Sequence, residues 1–99
     1  MKVISNTSPL IALMKKNELL LLKQLFNEIF IPEAVRNEII MTNNKYSGKI
    51  IEFQEAINDW ILVKKVKNKS ISEKNLGKGE KEAINLSLEF KDCLLLMDE

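Results

Sequence analysis

Near its start the chain reads Lys2-Val3-Ile4-Ser5-Asn6-Thr7-Ser8-Pro9, in which a strand pattern passes directly into a helix start. The run from Lys2 to Ser5 is short and largely apolar and β-branched, which predicts a strand. Ser8 is typical of a helix N-cap and Pro9 of the first helical position, so we expect a helix over residues 9–15. A strand that leads straight into a helix is typical of α/β folds.

The rest of the chain continues this alternation. Apolar periodicity and turn residues predict helices over residues 17–26, 32–41, 49–59 and 80–90, and strands over residues 28–31, 60–66 and 93–97. The polar residues 42–48 and the lysine-rich residues 67–75 are expected to be loops. Strands separated by helices are joined by right-handed crossovers, so the pattern predicts a three-layer α/β/α fold around a parallel sheet.

A length of 99 residues fits a single domain. The last predicted strand is a continuous apolar run, which is typical of a strand that is buried on both faces of a parallel sheet. Such a strand needs a further helix to cover it. We therefore expect residues 1–99 to form one domain that is incomplete at its C-terminus.

The available side chains restrict the chemistry. Histidine is absent and Cys93 is the only cysteine, which excludes a Ser/His/Asp triad, a Cys/His pair and an ordinary zinc site. Cys93 itself is expected in the core. What remains are carboxylates, hydroxyls and lysines, and carboxylates bind hard cations such as Mg²⁺ and Mn²⁺.

The composition is that of a soluble globular protein, with 45 % apolar and 29 % charged residues. No apolar run approaches the roughly 18 residues of a transmembrane helix, and the first residues lack the layout of a signal peptide. We expect a cytoplasmic protein with no membrane partner.

Glu38 falls within the apolar sector of its predicted helix, between Ala34 and Val35 on a helical wheel. A core-facing carboxylate is costly unless it is hydrogen-bonded, paired or bound to a metal. Glu38 is thus either a structural residue with a polar partner or a metal ligand.

The wheel of the last predicted helix places Glu80 and Leu88 on the apolar side. Glu82 and Asn85 lie opposite, so we expect Glu82 to be exposed. Glu80 has two interpretations, which are a metal ligand and a first-turn acid that complements the helix dipole.

Polar residues also follow two of the predicted strands. Asn6 ends the first strand, and Asp98 with Glu99 follows the last. In open parallel sheets ligands bind at the carboxyl ends of strands, where the strand order reverses. These residues therefore predict a ligand-binding site at this end of the sheet. The alternatives are that Asp98 caps a following helix and that Asn6-Thr7-Ser8 is only a turn and a helix cap.

Lysines cluster in the second half of the chain and could contact phosphates, since such clusters give the salt-dependent part of nucleic-acid binding. A solvated charged face is the alternative, because acidic residues are interspersed. Trp60 and the four phenylalanines are expected in the core. The lysines are Lys64, Lys65, Lys67, Lys69, Lys74, Lys78 and Lys81.

Three motifs follow one another along the chain. They are Val3-Ile4-Ser5-Asn6-Thr7-Ser8-Pro9-Leu10-Ile11, then Ile31-Pro32-Glu33-Ala34-Val35-Arg36-Asn37-Glu38, then Gly77-Lys78-Gly79-Glu80-Lys81-Glu82-Ala83-Ile84 with Leu94-Leu95-Leu96-Met97-Asp98-Glu99. In this order they resemble the PIN domain family, which includes the VapC-type toxins and other small prokaryotic ribonucleases. The first motif is similar to the family's metal-site turn, the second to its helix with an active-site glutamate, and the third to its Gly-Glu-x-Glu-Ala-Ile subgroup.

The resemblance implies a parallel sheet of order 3-2-1-4, which brings Asn6 beside Asp98. It also implies an endoribonuclease in which a water activated by Mg²⁺ or Mn²⁺ attacks an RNA phosphodiester. The implied biological role is the toxin of a toxin–antitoxin pair, with an antitoxin protein as partner and a homodimer as the assembly. Carried over by position, the metal ligands are Asn6, Glu38, Glu80 and Asp98, Ser8 is the donor that orients them, and Thr7, Glu82 and Glu99 are in reserve.

Asn6 stands where most members of the family have aspartate, so the implied site lacks one negative charge and should bind a cation less tightly. A second hypothesis is therefore a catalytically inactive PIN-like module that binds RNA or protein. A third is a phosphate-accepting receiver-like domain, which needs an aspartate at the end of its middle strand. The chain has Lys64-Lys65 near the end of its corresponding strand, which argues against the third hypothesis.

Overall fold

A computed structural model of the chain describes residues 1–42, 47–67 and 77–97. The strands of this part are parallel and lie in the order β3-β2-β1-β4, so the predicted three-layer architecture and strand order are confirmed. In chain order the elements are β1 (Lys2–Ser5), α1 (Thr7–Lys15), α2 (Leu20–Phe26), β2 (Ile29–Pro32), α3 (Glu33–Met41), α4 (Ser47–Ala56), β3 (Ile61–Lys64), α5 (Lys78–Glu89) and β4 (Cys93–Leu96).

Helices cover both faces of the sheet. On one face Val3 and Ile31 belong to a buried core that also includes residues of α1 to α4. On the other face Ile4 and Phe30 pack with Leu86 of α5. Because successive residues of a strand point to opposite faces, β1 contributes to both cores. Within the described ranges, no helix is long and apolar enough to cross a membrane.

The first helix begins earlier than predicted. It starts at Thr7, with Asn6 in the N-cap position, so the predicted cap at Ser8 is wrong. Pro9 is the third helical residue and not the first. The first N–H groups of a helix have no intrahelical partner, and proline is therefore tolerated throughout the first turn.

Other element boundaries also differ from the sequence pattern. Asn17 adopts a φ of 58° and its N–H bonds the carbonyl of Met14, which closes α1 in a turn and delays α2 to Leu20. The predicted loop over residues 42–48 is wrong at its end, because α4 begins at Ser47. Residues 43–46, and the predicted loop beyond Lys67, lie outside the described residues.

β4 is less buried than its apolar sequence predicts. It pairs with β1 in the register Lys2↔Cys93 to Ser5↔Leu96, and within the described residues it is an edge strand. Leu94 is 38 % exposed and Cys93 is half-buried. The prediction of a strand buried on both faces is therefore wrong for this part of the chain.

Candidate functional site

Asn6 lies at the carboxyl end of β1, where the chain turns into α1. Its backbone N–H donates to the carbonyl of Leu96 at 3.1 Å, which ties it to the end of β4. The residue is 3 % exposed, and no donor among the described residues bonds its buried Oδ1 atom. An unsatisfied buried oxygen costs roughly 1–3 kcal/mol, so a ligand that bound this atom would be stabilising.

Glu38 is held by hydrogen bonds from two other helices. Thr7 Oγ1 donates to Glu38 Oε2 at 2.8 Å, and the backbone N–H of Gly79 donates to Oε1 at 2.8 Å. The carboxylate of α3 thus joins the first turns of α1 and α5. The prediction that Glu38 faces inward is confirmed. Each carboxylate oxygen keeps a further lone pair, so the group can also bind a cation.

The hydroxyl that orients Glu38 belongs to Thr7. Ser8, the next residue of α1, is exposed, and its role as a donor that orients the metal ligands stays a prediction. Successive helical residues differ in direction by about 100°, and the earlier start of α1 turns Thr7 towards the site and Ser8 towards solvent. The sequence signal for Thr7 is its place directly after the strand-end Asn6.

Glu82 is not on an exposed face. It is half-buried, and its Oε1 accepts a hydrogen bond from the backbone N–H of Ala34 at 3.2 Å. Ala34 is the second residue of α3, just as Gly79 is the second residue of α5. Each helix therefore supplies a carboxylate to the N-terminus of the other. We call these two bonds, Glu38 to Gly79 and Glu82 to Ala34, the α3/α5 clasp.

The orientation of α5 explains why the wheel fails for Glu82. Asn85, predicted on the polar side, is 5 % exposed, whereas Leu88, predicted on the apolar side, is 54 % exposed. The helix is therefore turned towards α3, which packs along its side. A wheel built from apolar residues finds the side that meets the sheet, and it cannot show that a neighbouring helix covers the polar side.

The clasp gives Glu82 a structural role that can be tested. We expect Glu82→Ala to lower the free energy of unfolding by about 1 kcal/mol, the usual loss when a helix N-terminus loses its acceptor. Thermal denaturation measures this effect. Glu82→Gln keeps an acceptor oxygen and should lose less, while Mn²⁺ binding should persist in both variants. Equal stability of the alanine variant and the wild type would contradict this role.

Glu80 is the third residue of α5 and lies close to the start of that helix. Its Oε1 would be 3.5 Å from a β-carbon added at Gly77, the N-cap residue. This position fits a first-turn acid that complements the helix dipole. It is also at the same helix end as the Glu38 carboxylate, so both predicted interpretations of Glu80 remain.

The structure describes only part of the predicted metal site. Asp98 and Glu99 lie outside the described residues, and they follow β4 directly after Met97. No group of three or more His, Cys, Asp or Glu residues that could hold a metal ion occurs in the described ranges. The oxygens that are in place, Asn6 Oδ1 and the Glu38 carboxylate, are the type of donor that Mg²⁺ and Mn²⁺ prefer.

The predicted phosphate-contacting lysines are distributed over the surface. Lys64, Lys65, Lys67 and Lys78 are exposed and Lys81 is half-buried, whereas Lys69 and Lys74 lie outside the described part. The prediction that the large aromatic residues are core is confirmed for Phe30, Phe53 and Trp60.

Comparison with known proteins agrees with this fold. No curated protein and no solved structure matches the chain. A family model described as a PIN domain matches residues 2–99, almost the full sequence. The chain therefore belongs to the PIN domain family, whose members are generally nucleases that use divalent metals.

Proposed function

We propose that this chain is an endoribonuclease that hydrolyses RNA phosphodiesters with Mg²⁺ or Mn²⁺. The observation that carries the proposal is a buried, unsatisfied Asn6 Oδ1 together with an inward Glu38 carboxylate, which accepts a hydrogen bond from Thr7, the residue next to Asn6. Most buried side-chain oxygens accept a hydrogen bond, so an Asn6 oxygen that has no donor among the described residues supports a ligand at this position.

The oxygen donors fit a hard divalent cation. In the proposed site Asn6 and Glu38 bind the ion together with Asp98, and Glu80 and Glu99 bind directly or through water. A bound cation of this kind supplies an activated water at neutral pH and stabilises charge on the phosphate and the leaving oxygen. The residues of the chain would hold this cation and position the RNA.

Thr7 and Gly79 fix the direction of the Glu38 carboxylate before any ligand arrives. Their two hydrogen bonds remove the rotational freedom of a long side chain, which lowers the entropy cost of binding. We assign to Lys78, which is exposed and lies beside Gly79 in the sequence, a contact with a phosphate of the substrate. Asn6 contributes an oxygen without a negative charge, so the affinity of the site for the cation depends more heavily on the charges of Glu38 and Asp98.

The biological setting is part of the same proposal. We place the enzyme in the cytoplasm, as the toxin of a toxin–antitoxin pair that is silenced by an antitoxin protein and assembles as a homodimer. These roles rest on the family resemblance and not on a contact in the structure. Co-expression with the product of the adjacent gene, followed by co-purification, tests the antitoxin.

A second candidate is a PIN-like module that binds RNA or protein without cleaving it. It is favoured by Asn6, which supplies no negative charge where most members of the family have aspartate. The two candidates differ in one observable, since only the first cleaves RNA.

Metal removal separates these candidates. We expect a mixed-sequence RNA to be cleaved in Mn²⁺, to remain intact after addition of a chelator, and to be cleaved again when Mn²⁺ is restored in excess. The products are measured on a denaturing gel, and RNA binding is measured in parallel by mobility shift. Binding without cleavage under all metal conditions would overturn the enzyme and support the inactive module.

A further inference from the structure

We propose that Gly79 is a positioning residue, whose missing side chain sets the place of the Glu38 carboxylate. This inference rests on the proposed role of Glu38 as a metal ligand. It assigns a function to the glycine itself, beyond the hydrogen bond that any residue could donate from its backbone.

The space beside Gly79 is filled by Glu38. A β-carbon added at Gly79 would lie 2.6 Å from Glu38 Oε1, 3.0 Å from its Cδ and 3.2 Å from Oε2. The first distance is well inside van der Waals contact, so the two groups cannot both keep these positions. At Gly77, one helical step outside α5, the nearest atom would be Glu80 Oε1 at an ordinary 3.5 Å.

Backbone conformation does not explain the glycine. Gly79 lies within α5, and no glycine of the described ranges has a positive φ. Glycine is less favourable than alanine in such a helical position, because it loses more conformational freedom on folding. The close approach of the Glu38 carboxylate is the feature that requires a residue without a side chain.

Relief of the clash would act on the site more than on the fold. The atoms that meet the added carbon are the far end of a flexible side chain, and they can swing aside without moving α3 or α5. That swing would break the 2.8 Å bond from Thr7 and the 2.8 Å bond from Gly79. The protein would stay folded, while the carboxylate would leave its position between the first residue of α1 and the second residue of α5.

A double-mutant cycle between positions 79 and 38 tests the inference, with Gly77→Ala as the matched control. We expect Gly79→Ala to weaken Mn²⁺ binding in calorimetry by roughly 10–100-fold, the usual effect of misplacing a metal-site ligand. Gly77→Ala should leave the affinity unchanged. In a Glu38→Asp background the shorter side chain leaves room for the new carbon, so Gly79→Ala should cause no further loss.

The midpoints of thermal unfolding of the same four proteins, measured without metal, provide a second and independent test. Gly79→Ala should raise the midpoint in the Glu38→Asp background, where the helix gains alanine, and should lower it when Glu38 is present, because the loss of two hydrogen bonds then outweighs that gain. Equal changes in both backgrounds, or Mn²⁺ binding by Gly79→Ala as tight as that of the wild type, would overturn the positioning role while the proposed function stands. A wild-type chain that binds no Mn²⁺ would overturn the proposed function, and the positioning role with it.

Discussion

Glu38→Gln is expected to reduce metal-dependent RNA cleavage by at least about a hundredfold. The substitution keeps the shape of the side chain but removes its charge, and one of its two terminal atoms becomes a donor. Loss of a residue that only supports a metal ligand typically costs 10–100-fold, so loss of a charged ligand should cost more. The effect should be largest at low Mn²⁺, because the affinity for the cation falls first.

The measurement is the cleavage rate of a mixed-sequence RNA over a series of Mn²⁺ concentrations. Glu52→Gln is the matched control, since Glu52 is an exposed glutamate on α4. It should cleave as the wild type does. Circular dichroism must show that the Glu38 variant is folded. Full activity of a folded Glu38→Gln protein would exclude Glu38 from the proposed metal site.

Asn6→Asp is expected to tighten Mn²⁺ binding by at least about tenfold. An added charge near the cation contributes several kcal/mol at an effective dielectric constant of about 20, and desolvation of the new carboxylate offsets only part of this. Without metal the same change should lower the thermal midpoint, because it places an ionised group where the residue is 3 % exposed. Saturating Mn²⁺ should reverse the sign of the effect.

Asn85→Asp provides the matched control for this reversal. Asn85 is also buried, at 5 % exposure, but it lies further along α5 from the candidate site. Its conversion to aspartate should lower the midpoint with and without Mn²⁺. If Mn²⁺ rescues both variants equally, or rescues neither, Asn6 is not at a cation site.

Sequence patterns with a strong local cause predicted the fold well. The strand order follows from the alternation of short apolar runs with amphipathic helices, read together with the family resemblance, and β1 and β2 coincide with their predicted runs to within one residue. Glu38 was predicted to face inward because its own helix has a clear apolar sector. In these cases contact with the sheet determines which residues are buried, and the spacing of apolar residues along each element predicts that contact.

The errors occur where one helix meets another. The two bonds of the α3/α5 clasp depend on how α5 packs against α3. The spacing of apolar residues within one helix does not predict how that helix packs against another. Thr7 is only a reserve residue in the sequence prediction, because the family resemblance assigns the orienting hydroxyl to Ser8. α1 starts at Thr7, two residues before the predicted start, and the Thr7 hydroxyl bonds Glu38, so the geometry of the site was less predictable than the fold.

The α3/α5 clasp makes the candidate ligand Glu38 part of the framework of the protein. Enzymes commonly trade stability for activity, so that removal of an active-site acid often makes the protein more robust. Here removal would leave the Thr7 hydroxyl and the Gly79 N–H without their acceptor and would loosen the join between two helices. Substitution of Glu38 during evolution would therefore lower the stability of the fold as well as the activity. Selection for stability would then retain this glutamate even where selection for RNA cleavage has ended.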